Sequence, residues 1–307
     1  MKSPLISVIM PAFNVEQYIG LAIESILNQT YINFEFLIWD DGSSDQTYNI
    51  IMSYNDPRIK VFKNEVNQGN LITTNSLFNE CSGEYVALQD ADDISDKKRL
   101  EVFLEKFKIN SKLILIGSYY NLIDSEGSTY ECGFLPSENE QIKKEMEQKV
   151  IPILYPSIMF KLEGYKKSGG FKYFFNRKGY ADFDWMASLS LHGEVQNVKL
   201  PLYSYRKHRF SFTAVNKKES LKGFFQYMHF LLSEAHNDRL KSKIDFFETN
   251  NVREMKKRIS NYLLLKAKSN FWDRKEIVFS YLWKSIIFNP RNVDSYRTLL
   301  YMIRKRR

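Results

Sequence analysis

The chain is poor in cysteine. Cys81 and Cys132 are the only two among 307 residues. They cannot form a disulfide framework, so a reducing compartment is the simpler setting. No apolar run approaches the roughly 18 residues that a membrane-spanning helix needs, so no transmembrane helix is expected. The N-terminus, Met1-Lys2-Ser3-Pro4-Leu5, enters a strand-like run at once. It lacks the basic, apolar and small-residue regions of a signal peptide, and a cytoplasmic protein is the expectation. No Gly-x-Gly-x-x-Gly follows the first strand, and Gly-x-x-x-x-Gly-Lys-Ser/Thr does not occur. The two common phosphate-cradling loops are thus absent. There is no convincing internal repeat and no low-complexity segment.

What is present is enough for a core, with 44% hydrophobic residues. The charge is unevenly placed. Residues 1–220 carry 25 Lys and Arg against 28 Asp and Glu, a net −3, while residues 221–307 carry 19 against 8, a net +11. The nearly neutral front and strongly basic tail imply that the tail meets a polyanion, either nucleic acid or an anionic membrane surface.

Strand-like and helix-like segments alternate over the first 120 residues. Leu5 to Met10, Phe34 to Trp39, Arg58 to Phe62, Tyr85 to Leu88 and Leu113 to Gly117 read as strands. Between them lie helical patterns at Val15–Gln29, Gln46–Tyr54, Leu71–Cys81 and Lys97–Lys108. This alternation predicts a mostly parallel sheet covered by helices on both faces. Ser44 or Asp45 is the expected N-cap of the second helix. From about Ser137 the pattern loosens through a charged helical stretch, a proline-broken apolar run and a strand at Leu202–His208. Beyond about residue 220 the spacing is helical.

The chemistry concentrates after Tyr85-Val86-Ala87-Leu88. This buried strand runs straight into Asp90-Ala91-Asp92-Asp93. Unpaired buried charge is very costly, so the carboxylates belong at the strand's end, in a crevice open to water or a cation. Asp90 and Asp92 offer hard oxygen ligands suited to Mg²⁺ or Mn²⁺. The plainer alternative is a turn that caps the helix starting near Asp96.

Further motifs stand in a fixed order around it. Pro11-Ala12-Phe13-Asn14 follows strand one, and Asp40-Asp41-Gly42-Ser43-Ser44-Asp45 follows strand two. Gln29-Thr30-Tyr31 precedes Phe34-Glu35, and Asn67-x-Gly69 precedes Asn75. Gly83-Glu84-Tyr85 leads to the acidic cluster, and Asp182-Phe183-Asp184-Trp185 comes later. Over roughly residues 4 to 213 this closely resembles glycosyltransferase family 2. The resemblance implies a GT-A fold: an α/β, Rossmann-like, mostly parallel central sheet flanked by helices. The catalytic domain would span 1–220, with nucleotide-sugar binding in 1–120 and the acceptor and catalytic part in 121–220. Residues 221–307 would form a basic helical C-terminal extension.

The resemblance also implies roles. Asp41 matches the residue that bonds the pyrimidine base, and an ionised Asp suits a uracil or thymine N3–H because it only accepts. Pro11, Ala12, Phe13 and Asn14 would form the nucleoside pocket, with Asn67, Gly69, Asn75, Asp90 and Ala91 also on the nucleotide-sugar. Asp92 would hold the divalent cation, with Asp90 beside it and His208 as a third ligand. That cation, Mn²⁺ or Mg²⁺, would neutralise the leaving diphosphate. Asp182 matches the catalytic base, although Ala181 stands where the family has an acidic residue. Asp184 is the alternative base, and N-capping is the plainer role for Asp182. Arg206 and Arg209 are read either as phosphate contacts or as solvated charges. The acceptor pocket is expected around Tyr155 to Phe160 and Gly169 to Phe171.

The implied reaction is metal-dependent, inverting transfer of a sugar, with UDP-sugar as the expected donor. The acceptor would be a hydroxyl of a saccharide or lipid-linked acceptor in cell-surface polysaccharide assembly. Two other classes remain: an inactive nucleotide-sugar binder, which Ala181 keeps open, and a nucleic-acid-binding protein acting through the basic tail. The second leaves the acidic cluster without purpose, and no nucleic-acid partner is expected. The tail's apolar stripes, Leu221 to Leu232 and Val252 to Leu263, fit packing on the domain or on a second copy in a homo-oligomer. Its charge fits peripheral association with the inner face of the membrane.

Overall fold

A computed structural model of the chain describes residues 3–147, 151–171, 176, 181–208, 257, 260, 261, 263, 264, 267 and 275–304. The chain falls into two compact units, Met1–Asp238 and Arg239–Arg307.

The first unit opens with β1 (Ile6–Ala12), α1 (Ile19–Leu27), β2 (Phe34–Asp40), α2 (Thr47–Met52), β3 (Ile59–Lys63), α3 (Asn70–Glu80) and β4 (Tyr85–Leu88). These four strands pair in parallel in the order β3-β2-β1-β4. Strands in such a sheet are covered on both faces, so their sequences read as continuous apolar runs. Accordingly Ile6, Val8, Ile9 and Met10 of β1 and Phe36, Leu37 and Ile38 of β2 are fully buried. Helix α1 lays Ile19, Ala22, Ile23 and Ile26 into the same core, at the three- and four-residue spacing of one helix face. The N-cap of α2 is Gln46 and not Ser44 or Asp45, although Asp45 accepts the Thr47 amide at the helix start.

The chain continues through β5 (Ile94–Ser95), α4 (Arg99–Ile109), β6 (Leu113–Ile123), β7 (Thr129–Gly133) and α5 (Asn139–Glu147). It closes with β8 (Met159–Lys161), α6 (Leu162–Ser168), α7 (Ala181–Leu189) and β9 (Glu194–Arg206). The sheet extends from β4 to β8, β6, β9 and β5. Here β6 and β9 are parallel, while β8 runs against β4 and β6, β5 against β9 and β7 against β6. The expected strands at 113 and 202 are longer than their sequence patterns indicated. Just before β4, Gly83 approaches β1 so closely that a Cβ would meet the Ser7 amide at 2.6 Å.

A buried network ties these strands at the edge away from the acidic cluster. Glu35 takes bonds from Ser7 Oγ (2.6 Å), the Ser82 amide (2.7 Å) and Lys60 Nζ (2.8 Å). Desolvation alone would raise the pKa of its carboxyl, but these donors hold it below the usual carboxylate range. Gln29 is likewise buried, donating to the Ser25 and Asp96 carbonyls and accepting the Leu100 amide, which fastens α1 to α4. Both cysteines are free thiols.

In the second unit, α8 (Lys275–Phe288) and α9 (Val293–Arg304) are described. Leu264, Ala267 and Leu282 form a small apolar core. Beside it lies a polar one: the buried hydroxyls of Ser260, Ser285 and Ser295 contact in series at 3.0 and 2.7 Å, and Asn292 Nδ2 donates to Ser260 Oγ. Trp283 and Ile287 on α8, and Val293, Tyr296 and Leu300 on α9, are exposed. The stripe expected over Leu221 to Leu232, and all of the second stripe except Leu263, lie outside the described residues. No described helix is long and apolar enough to cross a membrane.

Candidate active site

Parallel register sends the C-terminal ends of β1, β2 and β4 to one edge, where open α/β sheets bind ligands. Three loops collect there, after Ala12, Asp40 and Leu88. The first two are laced together. The Asn14 amide donates to Ser43 Oγ (3.0 Å), and Asn14 Oδ1 accepts the Ser44 amide (2.9 Å). Asn14 holds a φ of 50°, and Gly42 one of 74°, where a Cβ would meet the Val66 carbonyl carbon at 2.8 Å. Phe13 projects 42% exposed beside this clasp, while Pro11 is partly covered and Ala12 is buried.

Asp41 is buried and heavily supplied with donors. Its Oδ1 accepts Asn64 Nδ2 (2.7 Å) and the Gln68 amide (2.9 Å), and its Oδ2 accepts the Gly69 amide (2.9 Å). It therefore organises the loop that carries Asn67 and Gly69. Gly69 adopts a φ of 99°, which a side chain would strain. Asn75 has its amide engaged between protein groups, donating to the Phe171 carbonyl and accepting the Tyr165 hydroxyl.

The acidic cluster has the opposite environment. Ligand atoms of Asp90, Asp92 and Asp93 lie within 4.8 Å of one another. Desolvation, then repulsion from Asp92 and Asp182, pushes the Asp90 pKa up to about 8. Asp93, fully buried, is also raised by desolvation and by Asp92 and Asp90. It accepts the Arg206 amide at 2.7 Å, yet its Oδ2 is buried without a hydrogen-bond partner. Repelling carboxylates with an unsatisfied oxygen are the electrostatic complement of a divalent cation, and an all-oxygen donor set fits Mg²⁺ or Mn²⁺. His208 Nε2 lies 2.9 Å from Asp92 Oδ2, and its ring stands 4.8 Å from that of Tyr18. The structure thus joins His208 to Asp92 across 116 residues of sequence.

Asp182 is the second residue of α7 and is partly accessible, whereas Asp184 is buried. Desolvation raises the Asp182 pKa, against the pull of the Phe183 amide on its Oδ1. Its charge acts on both Asp90 and Tyr155, so Asp182 lies near both.

Arg206 departs from both expectations. It is 1% exposed, neither solvated nor free for phosphate. Its guanidinium donates to the carbonyls of Asp92, Asp124 and Ser125 and stacks over Tyr18. As the last residue of β9 it is drawn inward, because its own amide is bound to Asp93. Arg209 lies outside the described residues.

Two residues escaped the sequence reading. Arg99, fully buried, donates to the Leu88 and Pro156 carbonyls and sets a cation behind Asp93. Asn64 reaches Asp41 as described. An arginine opening an amphipathic helix and an asparagine after a strand look solvated in sequence, so neither gave a signal.

The family model described as glycosyl transferase family 2 matches residues 7–169. An uncharacterized glycosyltransferase of Haemophilus influenzae is 32% identical over 220 residues, covering 67% of this chain and 66% of the relative. The Escherichia coli UDP-Glc:alpha-D-GlcNAc-diphosphoundecaprenol beta-1,3-glucosyltransferase WfgD is 37% identical over 119 residues, 39% of this chain and 47% of that protein. The matches thus span between about half and two thirds of these curated relatives. Among solved structures, S. aureus TarS 1-349 in complex with UDP-GlcNAc superposes with a TM-score of 0.58 at 16% identity, covering 95% of this chain and 91% of that one. Mannosyltransferase PcManGT from Pyrobaculum calidifontis, in complex with GDP-Man and Mn2+, gives 0.54 at 15% identity, covering 95% and 88%. The structural likeness establishes the α/β GT-A fold, and the sequence match over residues 7–169 establishes that the chain belongs to glycosyl transferase family 2.

Proposed function

We propose that the protein is an inverting glycosyltransferase that moves a sugar from a UDP-sugar to an acceptor hydroxyl. The observation that carries this reading is that Asp182 lies near enough to the acidic cluster for its charge to act on Asp90. A base for the acceptor and a seat for the leaving group then flank one space, as an in-line displacement requires. Asp41 accepts the base N3–H, and Phe13 and Pro11 line the nucleoside. Asp90 and Asp92, with His208, would hold Mn²⁺ or Mg²⁺. Bound there, the cation supplies charge to the departing diphosphate. The acceptor oxygen attacks the anomeric carbon from the face opposite the diphosphate and gives its proton to an Asp182 carboxylate oxygen. The C–O bond to the diphosphate breaks with its electron pair on the diphosphate oxygen. An α-linked donor thereby yields a β-linkage.

The raised pKa of Asp182 suits a base, because a weakly solvated carboxylate holds a proton better. Asp182→Asn is expected to reduce transfer on the order of 10²–10⁴-fold while UDP affinity changes little. Retained turnover would remove Asp182 from this role. Wild-type protein that binds donor without transfer or hydrolysis would instead be a nucleotide-sugar binder.

The acceptor we propose is a saccharide carried on a lipid, assembled at the inner membrane face. Support comes from the +11 charge of residues 221–307 and the exposed Trp283, Ile287, Tyr296 and Leu300. Vesicles containing anionic lipid should pellet the protein at low salt and release it at high salt. Equal recovery with neutral vesicles would end the membrane assignment.

A further inference from the structure

Asp41 has little accepting capacity left. A carboxylate offers roughly four lone-pair sites. The Asn64 amide and the Gln68 amide take two on Oδ1, and the Gly69 amide takes one on Oδ2. Two of these donors are backbone groups fixed by the loop. The third is a side chain, and a second residue sets its orientation. Trp39 Nε1–H, which can only donate, bonds to Asn64 Oδ1 at 3.0 Å. The Asn64 nitrogen must therefore face Asp41, where it also approaches Thr73 Oγ1 at 3.4 Å. Trp39 is itself held against Phe62, with the rings 4.8 Å apart and nearly parallel at 17°.

We propose that Asn64, positioned by Trp39, is a specificity-determining residue. By occupying Oδ1 it leaves Asp41 one open acceptor position and so selects a uracil or thymine nucleotide over a guanine nucleotide. Uracil and thymine present a single N3–H between two carbonyls, which one lone pair satisfies. Guanine presents N1–H and N2–H₂ side by side and needs both carboxylate oxygens. With Oδ1 already taken, one guanine donor is buried unmet, and a buried polar group without a partner is what makes such sites selective. The inference rests on the proposed binding of a nucleotide base at Asp41.

The test is calorimetric titration of the full chain with UDP, dTDP and GDP in Mn²⁺. Wild-type protein is expected to bind UDP and dTDP at least about thirtyfold more tightly than GDP. Asn64→Leu keeps the branched side-chain shape but frees one of the two occupied positions on Oδ1, and should narrow the UDP-to-GDP ratio by about tenfold. Trp39→Phe keeps the stacked ring but lets the Asn64 amide turn, and should narrow it less. The ratio is the readout, because a merely structural residue would weaken all three nucleotides alike. Equal UDP and GDP affinities in the wild type, or an unchanged ratio in both variants, would overturn the inference. Absence of binding by any nucleotide would instead overturn the transferase reading beneath it.

Discussion

Two carboxylate sites stand at the ends of strands that flank β1, and they have been finished in opposite ways. Asp41, after β2, is surrounded by N–H donors. Asp90, Asp92 and Asp93, after β4, face one another and Asp182. Asp41 and Asp93 are buried and Asp90 and Asp92 are partly covered, so these carboxylates have lost hydration that something must replace. At Asp41 the fold replaces it with three hydrogen bonds. At the β4 end Asp93 receives the Arg206 amide, yet its other oxygen is left unmet and the neighbouring charges add repulsion. The first arrangement suits one further neutral donor, such as a base N–H. The second suits a divalent cation, whose charge reverses the sign of every interaction there.

The largest expected effect comes from breaking the cation side alone. Asp92→Asn should lower transfer on the order of 10³-fold, because metal stabilisation of a leaving diphosphate is worth several kcal/mol. It should also abolish the gain in UDP affinity on adding Mn²⁺. Asp41→Asn should act differently: UDP affinity falls about tenfold or more with or without the metal, since one charged hydrogen bond contributes about 1.5–3 kcal/mol. Titrations of both variants, with Mn²⁺ and with chelator, check the pair. If Asp92→Asn kept its response to Mn²⁺, the cluster would not be the cation seat. If both variants lost that response equally, the two sites would not be separable.

The same contrast explains what could be read without coordinates. Strand ends carrying charge were legible, because an apolar run that stops at Asp40 or Asp90 leaves few places for the carboxylate to go. Motif order was legible too, but motif residues proved to have two kinds of work. Asp41 and the Asp90–Asp93 run follow the C-terminal ends of β2 and β4. Gln29, Glu35 and Gly83, quoted from the same motifs, fasten helix to helix and strand to strand elsewhere. Nothing local distinguishes these, since a buried Glu35 and a crevice Asp41 are both acids beside apolar strands. The short strands β5, β7 and β8 were illegible for another reason. Two to five residues carry no period; β5 and β8 pair with strands far along the chain, β9 and β4, while β7 is the second arm of a hairpin with β6. Arg206 was misread because its place depends on the Asp93 carboxylate and two loop carbonyls, more than 80 residues away.

The smallest effect is also the sharpest, because the two sites should move stability in opposite directions. In chelator, the Asp90 pKa lies near 8, above the ordinary value of 3.8. Its protonated form is then favoured by folding. The associated stability is fully present below the ordinary aspartate range and is lost as pH rises through about 8. Metal-free protein should therefore melt at progressively lower temperature between pH 5 and pH 8.5, roughly. Asp90→Asn fixes the neutral state, so it should raise the melting temperature at pH 8 and flatten that slope. Asp41→Asn turns an amide nitrogen or a weaker acceptor toward three N–H donors. It should destabilise by about 1–3 kcal/mol, at roughly 2–4 °C per kcal/mol for a domain of this size. Scanning both variants in chelator at the two ends of the pH range decides the matter. A fall in melting temperature for Asp90→Asn would mean that the β4 carboxylates are satisfied by the fold as Asp41 is, and that the cluster needs no cation to complete it.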